Sequence, residues 1–356
     1  MPSPERCLSV IIPVLNEAKS LPLLLDDLSR QQQMDLDIVV VDGGSQDASP
    51  ALAAQAGARV VHSKAGRGRQ MNSGAAVARH PLLLFLHADT RLPDDDLLAD
   101  AHDHFRSAST DQRRLAGHFS LRFGSGAESR LLYRYLEEKS ALNRPHCFNG
   151  DQGLMIEREF LQVLGGFAED LHFLEDQRIG QQIMQQGRWL TLPGKLQTDT
   201  RRFDQSGPRR QWLLMYLIMG AFGAPVPEFL QQAPALYRQQ RATRELRMSP
   251  YFRCYAQIMI RRGWRESLRG WWGLGGFAAQ HSWQLFFFCD VLLRPLSGSK
   301  GYPLQQFHDR WLGWLSRTPP IRLFAAALMF LLTFVLLWPL VEIGESLTRI
   351  RRTRTG

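Results

Sequence analysis

The chain has 356 residues, 44% of them hydrophobic, enough for the core of one large domain or two small ones. Its net charge of +9 is uneven: residues 1–200 carry 21 Lys and Arg against 26 Asp and Glu, whereas residues 201–356 carry 22 against 8. Four cysteines without Cys-x-x-Cys spacing argue against a disulfide framework or a zinc ribbon, and the charge split suggests an acidic module followed by a basic one that meets an anionic surface.

Residues 8–14, LSVIIPV, read as a buried strand. The break at Pro13 and the polar Asn16-Glu17 that follows do not suit a signal peptide, so the bulk of the chain is expected in the cytosol. Asn16 and Glu17 can hydrogen-bond a nucleobase or ribose; equally, they can cap the Leu-rich helix expected over roughly 18–32. A second strand, 37–42 (DIVVVD), ends at Asp42 and the turn Gly43-Gly44-Ser45, and an Ala-rich helix is expected over roughly 48–56. Asp42 can accept from a base or ribose hydroxyl while the glycines let a ligand approach the backbone. Ordinary turn chemistry, with Asp47 as cap, is the other reading.

A short third strand, 58–62, leads into KAGRGRQMNSG at 64–74 and a helix around 70–79. Backbone N–H groups at a helix start suit phosphate, and Arg67 and Arg69 add charge. The loop lacks the Gly-Lys-Ser/Thr ending of a P-loop, and Met71 stands where a dinucleotide fingerprint needs its last glycine, which leaves a solvated basic loop as the alternative. The fourth strand, 82–87, stops at His87-Ala88-Asp89. Residues two apart on a strand face the same way, so His87 and Asp89 can share one side. Mg2+ or Mn2+ held by one or two protein ligands plus substrate phosphates needs no more, although a capped strand end looks the same. Asp94-Asp95-Asp96 after Pro93 reads as the charged start of the next helix.

Continuous apolar strands alternating with helices predict an α/β fold with a parallel sheet covered on both faces. Such sheets bind ligands at the carboxyl ends of their strands, where Asn16, Glu17, Asp42, His87 and Asp89 fall. The stretch 114–205 is less regular, with a strand and helix in 153–165 and a helix over 176–187. Glu175-Asp176 at a helix start is favoured by the macrodipole alone, or supplies a general base. Arg201-Arg202 can clamp an anion or form a solvated basic face.

From Trp212 the character changes. Nine arginines lie between Arg238 and Arg269 against two acids, Glu245 and Glu266. Leu323–Val341 is 19 residues without a charge, about 28 Å if helical, close to the bilayer core of about 30 Å. Trp311, Trp314 and Trp338 suit interfacial anchoring. The expected division is an α/β domain at 1–210, a basic helical membrane-interface region at 211–300, and an anchor at 301–356, with the α/β domain at the cytoplasmic face of the inner membrane, the side that the nine arginines favour. Arg349, Arg351, Arg352 and Arg354 beyond the apolar run oppose a single span by the positive-inside bias, and Trp283–Leu293, broken by Asp290, is a candidate second partial span.

The order of the motifs narrows the reading. PVLNE, VVVDGGSQD, Gly-Arg-Gly-x-Gln-x-Asn, LLFLHADT, Gly-Asp-Gln-Gly (150–153), Leu-Gly-Gly-Phe (164–167), Glu-Asp and Thr-x-Thr-Arg-Arg-Phe follow one another. This series resembles glycosyltransferase family 2, with its nucleotide-sugar-binding GT-A fold. The HADT and Gly-Asp-Gln-Gly forms look most like the subfamily that accompanies radical-SAM proteins of selenium and arsenosugar metabolism. The resemblance covers about residues 7–238 and implies that Pro13, Asn16, Glu17 and Asp42 hold the nucleoside and that Arg67 and Arg69 lie near the diphosphate. It implies Asp89 as ligand to Mn2+ or Mg2+, with His87 where the family usually has an Asp, and Asp176, second of the Glu175-Asp176 pair, as the catalytic base. Asp151 and Gln152 are expected on the acceptor side, and Arg201 and Arg202 at the diphosphate or the acceptor. The implied partners are a nucleotide-sugar donor, a hydroxyl acceptor of lipid or small-molecule type and a membrane surface, with no nucleic acid. A catalytically inactive membrane-attached scaffold and a nucleotidyltransferase are the rival readings.

Overall fold

The computed structural model describes residues 6–355 apart from 110–113, 125–130, 172–173, 199–207, 225, 242–245 and 299–300. The chain forms two compact units, 1–200 and 201–356.

The first unit is built on a seven-stranded sheet. Its strands are β1 (Cys7–Val14), β2 (Asp35–Asp42), β3 (Arg59–His62), β4 (Leu82–Phe85), β5 (Leu115–Phe123), β6 (Leu154–Glu157) and β7 (Arg188–Thr198), in the order β3-β2-β1-β4-β6-β5-β7. The first four pair in parallel, β6 runs antiparallel to β4 and β5, and β5 pairs in parallel with β7. Alternate residues feed two cores: Leu8, Val10, Ile12, Leu82 and Leu84 pack on one face, and Ile11, Val39, Val41, Leu83 and Phe85 on the other. Two buried faces explain why these strands read as unbroken apolar runs. The helices are α1 (Leu21–Ser29), α2 (Ser49–Gln55), α3 (Arg67–Val77), α4 (Leu97–Ala108), α5 (Leu131–Ser140), α6 (Arg158–Val163) and α7 (Glu175–Gln186).

Two expectations shift. β4 ends at Phe85; the Leu86 N–H still reaches the Ile11 carbonyl at 3.0 Å, and then the chain turns, with the Thr90 N–H on the His87 carbonyl at 3.1 Å. His87 therefore sits in the turn and not in the strand. The stretch 114–205, expected to be less regular, also contains β5 and β7. Pro193-Gly194 interrupts the β7 pattern, and the register jumps from His118–Thr191 to Ser120–Lys195, a bulge that hides the strand from a periodicity reading.

The turn after β4 is pinned from below. Asp27 on α1 is fully buried and accepts from Arg91 Nε at 2.5 Å, Arg91 Nη2 at 2.8 Å, the Leu92 N–H at 3.0 Å and Arg30 Nη2 at 2.6 Å. Burial alone pushes its carboxyl up, but the arginines and the Leu92 N–H outweigh it and hold the carboxyl below its ordinary range.

The second unit is helical: α8 (Pro208–Gly223), α9 (Pro227–Arg241), α10 (Ser249–Arg261), α11 (Gly263–Gln280), α12 (Trp283–Ser297), α13 (Pro303–Phe307), α14 (Pro319–Phe330) and α15 (Trp338–Thr355), the last two joined by a π-helical turn, Leu331–Leu337. A Cβ on Gly275 of α11 would lie 2.3 Å from the Arg322 carbonyl oxygen and 2.7 Å from the Ala326 Cβ, so glycine lets α11 and α14 approach backbone to backbone. The Glu345 carboxylate accepts from the Met248 N–H at 2.6 Å and the Ser249 hydroxyl at 2.6 Å, which caps α10 from a distant helix. Among the described residues, Pro319–Thr348 is a helix long and apolar enough to cross a membrane; its most apolar stretch has a mean hydropathy of 2.4 and is only 17% buried, unlike the core helix of a water-soluble protein.

Candidate active site

The carboxyl ends of β1, β2 and β4 and the start of α7 gather most of the candidate residues. Asn16 adopts φ 59°, and its side-chain oxygen accepts from the Gln46 N–H at 2.8 Å while its own N–H reaches Ser45 Oγ at 2.9 Å. Asp42 accepts from the Gly44 N–H at 3.1 Å and the Ser45 N–H at 3.1 Å. Burial pushes the Asp42 carboxyl up, yet Ser45, the Gly44 N–H and His62 together bring it below its ordinary range, so it stays ionised. Glu17 accepts from Ser20 Oγ at 2.6 Å, and Pro13 lies in β1 opposite Val41. Asn16 and Asp42 thus shape the Gly43–Gln46 loop directly.

The arginines of the Gly-Arg-Gly segment both have carboxylate partners. Arg67 Nη1 lies 2.8 Å from Glu175 Oε1, and Arg69 Nε lies 3.1 Å from Glu169 Oε2. Two neighbours matter that were not singled out by sequence reasoning. Gln70 Nε2 donates to the Val14 carbonyl at 2.9 Å and the Val41 carbonyl at 2.8 Å, tying together the ends of β1 and β2. Asn72 donates to the Phe167 carbonyl and accepts from the Phe167 N–H, both at 2.9 Å, locking the Leu-Gly-Gly-Phe turn to α3. Their signal was present in the Gly-Arg-Gly-x-Gln-x-Asn motif.

His87, Asp89 and Asp151 offer ligand atoms that all lie within 4.8 Å of one another, with His87 Nδ1 2.7 Å from Asp151 Oδ1. One imidazole nitrogen and two carboxylates form an oxygen-rich donor set that fits Mn2+ or Mg2+. Asp151, expected on the acceptor side, lies with the other two ligand candidates and supplies the second carboxylate that the sequence lacks at position 87. Gln152 is fully buried instead: its amide donates to the Ser140 carbonyl at 2.7 Å and lies 2.9 Å from His118 Nδ1, while its oxygen accepts from the Asn149 N–H at 2.8 Å. It holds the 149–153 turn and has no free face for a ligand. Arg201 and Arg202 lie outside the described residues.

Gly150 joins the ligand cluster to the acid pair. Its N–H donates to Asp176 Oδ2 at 2.8 Å, and a Cβ there would lie 2.6 Å from His87 Cε1 and Nε2. Asp176 Oδ1 also accepts from the Gln177 N–H at 2.7 Å. Leu174, at φ 65°, makes the left-handed turn that starts α7 and presents both acids. Their environments differ. Glu175 is 1% exposed and ion-paired with Arg67. Burial, reinforced by the adjacent Glu175 charge, raises the Asp176 carboxyl above its ordinary range, opposed by the Gly150 N–H and Arg67. Two neighbouring acids separated in this way suit one structural and one proton-accepting role.

Comparison with known proteins matches residues 9–164 to the family described as Glycosyl transferase family 2. A PGL/p-HBAD biosynthesis glycosyltransferase of Mycobacterium bovis is 41% identical over 98 residues, covering 26% of this chain and 38% of that protein. The undecaprenyl-phosphate 4-deoxy-4-formamido-L-arabinose transferase of Pseudomonas fluorescens is 32% identical over 123 residues, 31% of this chain and 36% of that protein. The chain thus spans well under half of these relatives. Among solved structures, the mannosyltransferase PcManGT from Pyrobaculum calidifontis, in complex with GDP-Man and Mn2+, aligns over 95% of this chain and 89% of that one at 19% identity and a TM-score of 0.48. The match to glycosyltransferase family 2 spans residues 9–164, within the first unit, whose mostly parallel mixed sheet is of the GT-A type.

Proposed function

We propose that the chain transfers a sugar from a nucleotide-diphosphate sugar to an acceptor hydroxyl in one inverting, metal-dependent step. The observation that carries this reading is the convergence on Gly150 of a cation-ligand cluster, His87-Asp89-Asp151, and a carboxylate of raised pKa, Asp176. When bound there, a divalent cation supplies positive charge against the departing diphosphate. The chain's own residues do the rest. Asp176 takes the acceptor proton as the new C–O bond forms at the anomeric carbon and the C–O bond to the diphosphate breaks, the electron pair leaving with the nucleoside diphosphate. Arg67 holds Glu175 and so orients the first turn of α7. The Gly43–Gln46 loop, set by Asn16 and Asp42, shapes the nucleoside end.

The relatives named for undecaprenyl phosphate and PGL synthesis, together with the Pro319–Thr348 helix, support a lipid-linked acceptor and a membrane location with the catalytic unit on the cytoplasmic face. Placement in the radical-SAM-associated subfamily rests on the HADT and Gly-Asp-Gln-Gly segments alone. The test is a thermal-shift panel of UDP, GDP, dTDP and ADP with and without Mn2+, followed by product analysis with the matching sugar nucleotide. A metal-dependent shift and release of a nucleoside diphosphate are expected. Release of pyrophosphate from a nucleoside triphosphate would indicate nucleotidyl transfer, and nucleotide binding without turnover would indicate a scaffold.

A further inference from the structure

A cavity of about 320 Å3 lies beside Asp176, walled by the loop before Gly150, one face of α7 and Trp189. That volume falls at the lower end of small-molecule sites, about 300–1,000 Å3. Two features place it next to the chemistry. Gln177, in its wall, directly follows Asp176, and Phe148 lines both this cavity and the small one bounded by His87, Glu175 and Asp176.

The wall combines aromatic surface with neutral hydrogen-bonding groups. Phe148 and Trp189 stack at 4.6 Å and 30°. Gln177, Gln181 and Gln185 recur every fourth residue along one face of α7. Gln177 Nε2 donates to the Phe148 carbonyl, so its oxygen accepts from His146 Nδ1 at 3.1 Å. That assigns the Nδ1 proton and leaves Nε2 as the acceptor toward Gln181, 3.4 Å away. Burial lowers the His146 pKa and keeps the ring neutral, against the opposing Gln177 bond. His146 also adopts φ 61°, a left-handed conformation that non-glycine residues hold only where their surroundings impose it. Arg144 is the one charged side chain among the described lining residues.

We infer that this cavity is the acceptor subsite and takes an uncharged pyranoside, its apolar face against the Phe148–Trp189 wall and its hydroxyls on Gln181 and Gln185. Neutral amides beside aromatic surface recognise hydroxyls without demanding charge. Phe148 is the wall shared with the small cavity that Asp176 lines, which puts a ring seated here on the side of the carboxylate that needs an acceptor hydroxyl. The inference rests on the transferase reading for its catalytic meaning and on the cavity alone for its ligand.

The test uses the full chain in detergent and saturation-transfer NMR on the methyl glycosides of glucose, mannose and N-acetylglucosamine, with glucose 1-phosphate as the charged comparison. Gly180 supplies the first cavity-filling site, because a Cβ there meets Phe148 at 3.5 Å and Trp189 at 3.8 Å, ordinary contacts, so Gly180→Leu places its remaining carbons in the cavity. Met184→Trp closes the exposed rim independently. At least one methyl glycoside is expected to show transfer in the wild-type chain and to lose it in both variants, while all three chains keep the Mn2+-dependent nucleoside diphosphate thermal shift. A glycoside signal that survives both substitutions, is absent from the wild type, or is exceeded by glucose 1-phosphate overturns the inference. Absence of the diphosphate shift in the wild type counts instead against the transferase reading, since that response does not pass through the cavity.

Discussion

At the scale of single residues, two adjacent acids divide the labour. Asp176→Asn keeps the size of the side chain and removes the proton acceptor. Transfer should fall by about 10²–10⁴-fold while nucleoside diphosphate binding stays near wild type; unchanged turnover would remove Asp176 as base. The pH dependence follows from its raised carboxyl. The ionised form is lost as pH falls through that raised value, so the acidic limb of kcat/KM lies above the ordinary carboxylate range. A limb within the ordinary carboxylate range would contradict the assignment. Gly150→Ala acts on the neighbouring cluster. Its new methyl collides with the His87 ring, and displacement of one ligand should weaken Mn2+-dependent nucleotide binding by about 10-fold or more, read by calorimetry on a variant whose circular dichroism is unchanged.

At the scale of elements, the turn carrying Asp89 is held by a buried ion pair from another helix. Asp27→Asn leaves Arg91 and the Leu92 N–H facing a neutral amide, and the loss should be about 3 kcal/mol, at the low end for a broken buried pair because Arg91 is partly exposed. Asp27 has a depressed folded-state pKa, so its stabilisation is present above the ordinary carboxylate value and disappears as pH falls through the depressed one. Urea denaturation should therefore show the gap between wild type and Asp27→Asn closing in acid; a pH-independent gap would contradict the role. Nothing in the local sequence announced this pair, because Asp27 and Arg91 meet only after β1, α1 and β4 have packed. The parallel strands were legible for the opposite reason: two buried faces impose short unbroken apolar runs, set off from helices by their length and the turn residues around them. β7 was not, since Pro193-Gly194 and the bulge erase its period. Within the site, Asp89 just past a strand and the Glu175-Asp176 pair at a helix start could be read from strand and helix ends, whereas His87, expected in the strand, lies in the turn that follows it. The partnership of Asp151 with His87 spans 64 residues and depends on Gly150 passing beneath the imidazole.

At the scale of the molecule, the two compact units carry different chemistry. The first holds the ligand clusters; the second presents the apolar helix Pro319–Thr348. Leu331 and Leu336 on that helix are about half exposed, at 53% and 52%, so charge there should cost little in a water-soluble fold. In a bilayer each Asp near the helix centre costs about 2.5–3.5 kcal/mol. The double substitution Leu331→Asp, Leu336→Asp should shift the chain out of the alkali-resistant membrane fraction, and retention there would move the anchoring elsewhere. The central claim, that His87, Asp89 and Asp151 hold a cation for a nucleotide sugar, stands on one measurement: calorimetric titration of the cognate nucleoside diphosphate, with and without Mn2+, into the wild type, Asp89→Ala and Asp176→Asn. Metal-dependent binding should be present in the wild type and in Asp176→Asn and lost in Asp89→Ala; equal affinity in all three, or no effect of Mn2+ on the wild type, would contradict it.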